Sequence, residues 1–203
     1  MGGKSTTATE GGGPTESGEA SRTLCDVPTD LSESELERYS AQIEHIGVDG
    51  QLRLKGARAI VIGAGPAGSA AAAELVSRGV GYVAVVDGAT TALGDLCGQA
   101  SLYTPDVGAN RAEALTAKLG ILNPTVQAEP YPVDVDEANA AAIVMGHDVA
   151  LDFSGAASLS EACAEHGVEL ISAAETGTVA GVIAAGAAIT YLTSRVPAPE
   201  GVR

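Results

Sequence analysis

Three glycines, Gly63, Gly65 and Gly68, stand in the stretch "VIGAGPAG", and an aspartate, Asp87, closes the next apolar run. Gly63 suits a tight turn, Gly65 lets a phosphate approach the backbone, and Gly68 lets a helix pack on a strand. A helix starting there offers unbonded N–H groups and about half a positive charge to an anion. Asp87 is placed to accept hydrogen bonds from ribose hydroxyls. The chemistry described is recognition of an adenosine nucleotide. The glycines alone do not separate NAD, FAD and ATP, and the same residues could simply pack a turn.

The elements that must position these residues follow from periodicity. Ser32 and Glu35 form a capping box, and Leu36, Tyr39, Ile43 and Ile46 recur at helical spacing up to Gly47. A shorter helix is expected over 51–55. The run 57–62 reads as a buried strand, 66–78 as an Ala-rich helix closed by Gly79, and 82–86 as a second strand. After a long loop, helices are expected over 111–119, 136–145, 158–166 and 178–194. Between them, "LNPTVQAEPYPV" holds a turn and a short strand, and "DVALDF" and "VELIS" are further strands. Strands alternating with helices predict an α/β fold: a Rossmann-like, mostly parallel sheet with helices on both faces and a helix before the first strand.

Composition narrows the partners. A formal charge of -15 argues against nucleic acid and anionic membrane. Residues 1–30 carry hardly an aliphatic side chain and are expected to be a disordered tail, leaving 31–203 as one domain. With no apolar leader near Met1, the expected location is the cytoplasm. Cys25, Cys97 and Cys163 form no C-x-x-C pair, so no zinc knuckle is expected. His45, His147 and His166 read as solvated residues at element ends. The run 176–194 lacks charge but is mostly Gly, Ala and Thr, which favours a buried helix over a membrane span. Its Gly177 and Gly181 permit close backbone approach.

The flanks carry more. "LSESELERYSAQI", "GQLRLKGARAIVIGAGPAGSAAAAELVSRGVGYVAVVDGATTALGDLCGQ" and "DVGANRAEALTAKLGILNP" together resemble the ThiF/MoeB/HesA family. These are relatives of the ubiquitin-activating enzymes, and they adenylate the C-terminal Gly-Gly of a ubiquitin-like or sulfur-carrier protein. The resemblance runs from about Leu31 to Leu192. It implies ATP as cofactor, a dimeric assembly and a small carrier protein as partner.

The same resemblance shows departures. Adenylation needs cations around the phosphates. The family's inter-subunit arginine falls on Ala41, with Arg38 a helical turn earlier. Its asparagine and arginine fall on Asp95 and Gly98, while Gln99 is kept. Its lysine falls on Arg111, and one magnesium-binding aspartate falls on Gly155, although Asp152 persists. The crossover loop and zinc pairs expected before the last helix have no counterpart. The nucleotide-binding set implied is therefore Gly63, Gly65, Gly68, Asp87, Gln99 and Arg111, with Arg111 and Asp152 as the remaining candidates for catalysis. Magnesium and zinc are not expected.

The reading that follows is a catalytically degenerate partner or scaffold subunit, dimerising with itself or with a fuller relative. Its contact surfaces would be the last helix and the Leu36/Tyr39/Ile43 helix. An active adenylyltransferase is the alternative, and an NAD or FAD oxidoreductase is a third.

Overall fold

The computed structural model describes residues 30–99, 101–173 and 177–194. The tail expected over 1–30 lies almost wholly outside the described residues. Twelve elements organise the rest: α1 (Glu33–Arg38), α2 (Ser40–Gly56), β1 (Arg58–Ile62), α3 (Pro66–Ser77), β2 (Tyr82–Val86), α4 (Arg111–Leu122), β3 (Gln127–Tyr131), α5 (Ala140–Val144), β4 (Val149–Asp152), α6 (Ser158–His166), β5 (Glu169–Ser172) and α7 (Thr178–Ser194).

The five strands form one sheet in the order β3-β2-β1-β4-β5. Every pairing is parallel, with Ile62 opposite Val86 on one side and Asp152 on the other. Side chains alternate across a strand, so successive residues of β1 serve different layers. Ala59 and Val61 join Leu54, Leu75, Val83, Leu115, Leu151, Ala184 and Leu192 on the face covered by α2, α3, α4 and α7. Ile60 and Ile62 join Val86, Ile143, Val144, Leu159 and Cys163 on the face covered by α5 and α6. This is the doubly covered parallel sheet the alternation predicts.

Small residues set the helix spacing. A Cβ at Gly181 of α7 would overlap the carbonyl oxygen of Ala67 in α3, and one at Gly68 would overlap the carbonyl oxygen of Gly63. Close approach of α7 therefore occurs within this molecule. The helix buries Ala180, Gly181, Ala184, Ala185, Ala188 and Leu192 and exposes Val179, Val182 and Ile183. Among the described residues no helix is long and apolar enough to cross a membrane.

Three expectations change. The first helix divides at Tyr39, whose backbone leaves the helical region (φ -99, ψ 10). Its ring turns into the core and its hydroxyl accepts from Nδ2 of Asn123 at 2.8 Å, so it offers no outward contact surface. Leu36 stays exposed, and the four-residue stripe is not one buried face. Gly47 does interrupt the next segment, at φ 72.

The helix expected from Asp136 begins only at Ala140, because the Asp136 carboxylate accepts from the N–H groups of Ala138 and Asn139 and holds a turn. His147 is buried rather than solvated. Its Nδ1–H donates to the Val144 carbonyl at 3.1 Å, and its Nε2 is buried without a partner. His45 and His166 are exposed as expected.

Candidate nucleotide-binding cleft

The cleft opens where the chain changes direction across the sheet. From β1 the connections run first to β2 and β3, then return to β4 and β5 on the other side. Divergence of the loops at that point leaves a crevice beyond the carboxyl ends of the strands. Its volume is about 250 Å³, and its wall is formed by Gly63, Gly65, Asp87, Arg111, Asp134 and Ser154, among others.

The glycine turn behaves as its residues dictate. Gly63 has φ +95, a conformation that L side chains rarely adopt, and its N–H donates to the Val86 carbonyl at 2.8 Å. At Gly65 a Cβ would meet nothing within 4 Å, so the backbone there faces open space. Gly65 is also the N-cap of α3 and supplies no side-chain hydrogen bond to the first turn. The N–H groups at that helix start are therefore available to an anion. Gly68 lies away from the wall, packed on Gly63.

Asp87 ends β2 and is nearly buried, with 9% of its side chain exposed. Its Oδ2 accepts from the Ala64 N–H at 2.7 Å and its Oδ1 from the Ala89 N–H at 2.8 Å. One carboxylate thus fixes both the glycine turn and the loop after β2, and each oxygen retains a further lone pair for a ribose hydroxyl. Gln99 supports the same turn from behind, its Nε2 donating to the Ala64 carbonyl at 3.2 Å. It is not part of the cleft wall.

Arg111 is positioned by its neighbour. Asn110 caps α4 by accepting from the Glu113 N–H, and its amide donates to the Asp87 carbonyl at 2.9 Å. The first residue of α4 is thereby brought against the end of β2. Nη2 of Arg111 donates to Oδ2 of Asp95 at 3.0 Å, and Nη1 lies 3.8 Å from Oδ2 of Asp87. The Ala92 N–H and the Arg111 guanidinium hold the Asp95 carboxyl below its usual range. Asp95, where the family resemblance places an asparagine, is therefore the partner of the cleft's arginine. Two buried atoms near the turn lack partners, Nε of Arg111 and Oε1 of Gln99.

The remaining candidates fall elsewhere. Asp152 is buried, and its Oδ1 accepts from the Ser154 N–H, the Ser154 hydroxyl and the Gly155 N–H. It builds the loop after β4, while Phe153 and Ser154 reach the wall. Arg38 lines a separate groove with Pro124 and Thr125, and its guanidinium donates to the Leu122 carbonyl. Among the described residues no three His, Cys, Asp or Glu side chains come together to hold a metal ion.

Sequence reasoning missed Val133, Asp134 and Val135 on the wall, because their place depends on β3 lying beside β2. It also missed Asn123, fully buried, whose amide joins the Tyr39 hydroxyl to the Val76 carbonyl. The "LNP" that contains it was the available signal.

A parallel α/β domain with a glycine turn, an acidic residue after β2 and a crevice at the change of direction has the Rossmann-like fold. Comparison with known proteins narrows it: the ThiF family profile matches residues 39–193, and the chain belongs to the ThiF family.

A "SAMP-activating enzyme E1" of Haloferax volcanii is 35% identical over 150 residues, which cover 71% of this chain and 56% of that protein. A "Sulfur carrier protein adenylyltransferase" of Thermus thermophilus is 38% identical over 125 residues, covering 61% of this chain and 46% of that protein. The chain therefore spans about half the length of these relatives. The fold is shared with the tRNA N6-threonylcarbamoyladenosine dehydratase TcdA of E. coli, solved in complex with ATP. The TM-score is 0.67 at 21% identity, covering 71% of this chain and 61% of that one.

Proposed function

We propose that this chain is a nucleotide-binding subunit of the carrier-activating family, keeping the adenosine end of the site and working with a second subunit rather than adenylating alone. The observation that carries the reading is the state of Arg111. The cation facing the cleft is bonded to Asp95 and lies close to Asp87 instead of standing open to a polyphosphate. The residues fit the nucleoside end of ATP: an open turn at Gly65, an uncapped helix start and Asp87 for the ribose. Binding of the adenosine end of a nucleotide such as ATP through Gly63, Gly65 and Asp87, with Gln99 and Gly68 holding the turn and Arg111 beside it, is part of the proposal; magnesium and zinc are not.

The second subunit would be another copy or a fuller ThiF relative, and the client a ubiquitin-like or sulfur-carrier protein. The exposed Val179, Val182 and Ile183 of α7 are the candidate contact residues. We place the protein in the cytoplasm on this reading. ATP–pyrophosphate exchange tests it: the chain alone, given candidate carriers ending in Gly-Gly, shows no exchange, and exchange by the purified chain overturns the reading.

An active adenylyltransferase is the second reading, favoured by the adenylyltransferase and activating-enzyme names of the relatives. It requires exchange by the chain itself and its loss in Asp87→Ala.

A further inference from the structure

We infer that Asp95 sets the ligand class of the cleft: by holding Arg111 it turns the site away from nucleoside triphosphates and toward a nucleoside or nucleoside monophosphate. The inference rests on the nucleotide reading and deepens it. Among the cleft-lining residues Arg111 is the one cation, and it shares the wall with the carboxylates of Asp87 and Asp134. With Asp95 bonded to it from outside the wall at 3.0 Å and Asp87 3.8 Å away, two carboxylates flank the guanidinium, and Asp134 adds a third negative charge to the same wall.

A triphosphate entering here must either leave Arg111 where it is and face a net negative wall, or draw it away. Drawing it away strands Asp95 beside the incoming phosphates at short range, where like charges repel most. A nucleoside escapes both penalties, because its hydroxyls need only the free lone pairs of Asp87. A single phosphate is met by the start of α3 at Gly65, where no side chain caps the first turn. The Asp95 carboxylate thus engages a guanidinium N–H that would otherwise be free for a phosphate.

The test is calorimetric titration of the full chain with adenosine, AMP, and ATP with and without magnesium, in native protein and in Asp95→Asn. The asparagine oxygen can still accept from the Ala92 N–H, so the turn before it is kept. Native protein is expected to bind AMP at least about tenfold more tightly than ATP. Asp95→Asn is expected to raise ATP affinity by about tenfold or more, leaving adenosine affinity within error.

Native protein that prefers ATP to AMP, or a variant with no gain in ATP affinity, overturns the inference while adenosine binding keeps the nucleotide reading. Failure of all three ligands to bind native protein overturns both. Should Asp95→Asn not fold, Asp95→Ser serves, and the native series decides without either variant.

Discussion

At the carboxyl ends of the strands Arg111 lies between two carboxylates and beside open space; at the opposite ends Arg58 lies 3.6 Å above the ring of Tyr82. The second arrangement is closed. Tyr82 donates to Glu129 at 2.7 Å, its ring meets His147 at 5.8 Å between centroids, and the Arg58 N–H donates to Asp148. The Tyr82 hydroxyl holds the Glu129 carboxyl below its usual range, and burial pushes the Tyr82 phenol up. Among the described residues there, Nε2 of His147 is buried without a partner, while Tyr82, Glu129 and Asp148 accept or donate within the chain. At the carboxyl end the bonds instead fix a frame, glycine turn to Asp87 to α4, around a space that protein atoms do not fill. One end of the sheet is closed by packing and the other is left open as a crevice.

Both ends also contain a glycine that backbone contact makes irreplaceable, and substitution there has the largest expected effect. A Cβ at Gly81 would overlap the Lys55 carbonyl, and one at Gly68 the Gly63 carbonyl. Backbone cannot give way as a side-chain tip can. Gly81→Val and Gly68→Val are each expected to cost about 3 kcal/mol or more, or to abolish folding, as read by thermal melting. A Gly68→Val protein that melts with the native one would show that α3 does not sit against β1 as described.

Asp87 comes next. Asp87→Ala leaves the Ala64 and Ala89 N–H groups without their acceptor and removes one neighbour of Arg111. The expected loss is about 1–3 kcal/mol of stability by urea unfolding, together with loss of any adenosine or AMP binding. Unchanged binding would remove Asp87 from the site.

The pH response distinguishes two groups that both lie away from the cleft. Burial, helped by the nearby Arg58 charge, holds the His147 imidazole below its ordinary pKa of about 6.5. A histidine whose folded pKa is depressed binds its proton first in the unfolded chain. Stability contributed by the neutral ring is therefore present above about pH 6.5 and declines as pH falls toward the folded value. The decline approaches about 1.4 kcal/mol per pH unit and should disappear in His147→Phe. Glu35 titrates in a lower window. Burial raises its pKa, but Lys55 and Ser32 outweigh that and hold it below 4.5, so its contribution is lost only on further acidification. Denaturant melts across pH 5–8 that superimpose for native and His147→Phe protein would refute the assignment.

The fold was legible because local pattern and tertiary outcome agree: buried runs, capping box and glycine stops mark the elements that form. The site was legible where a residue acts within its own element, as Gly63, Gly65 and Asp87 do. It was not legible where an element order or a distant partner decides. Asp134 reaches the wall only because β3 pairs with β2, and Asp95 meets Arg111 across a long loop. Tyr39 and His147 were misplaced because helical spacing and chain position say nothing about which ring the core has room for.

The smallest structural effect is expected at Gly65, and it gives the sharpest contrast with Gly68. Gly65 has φ -68 and ψ -173, which alanine adopts without strain, and its Cβ would meet no atom within 4 Å. Gly65→Ala should therefore melt within about 0.5 kcal/mol of native protein. The new methyl group nonetheless projects from the cleft wall at the start of α3, where a phosphate would approach. AMP affinity is expected to fall about tenfold or more, while adenosine, which brings no phosphate to that turn, loses less. Stability and binding thus separate at Gly65 and fail together at Gly68, three residues along the same turn. If Gly65→Ala bound AMP as the native protein does, the anion would have to lie elsewhere on the wall, and Arg111 would be the group left to meet it.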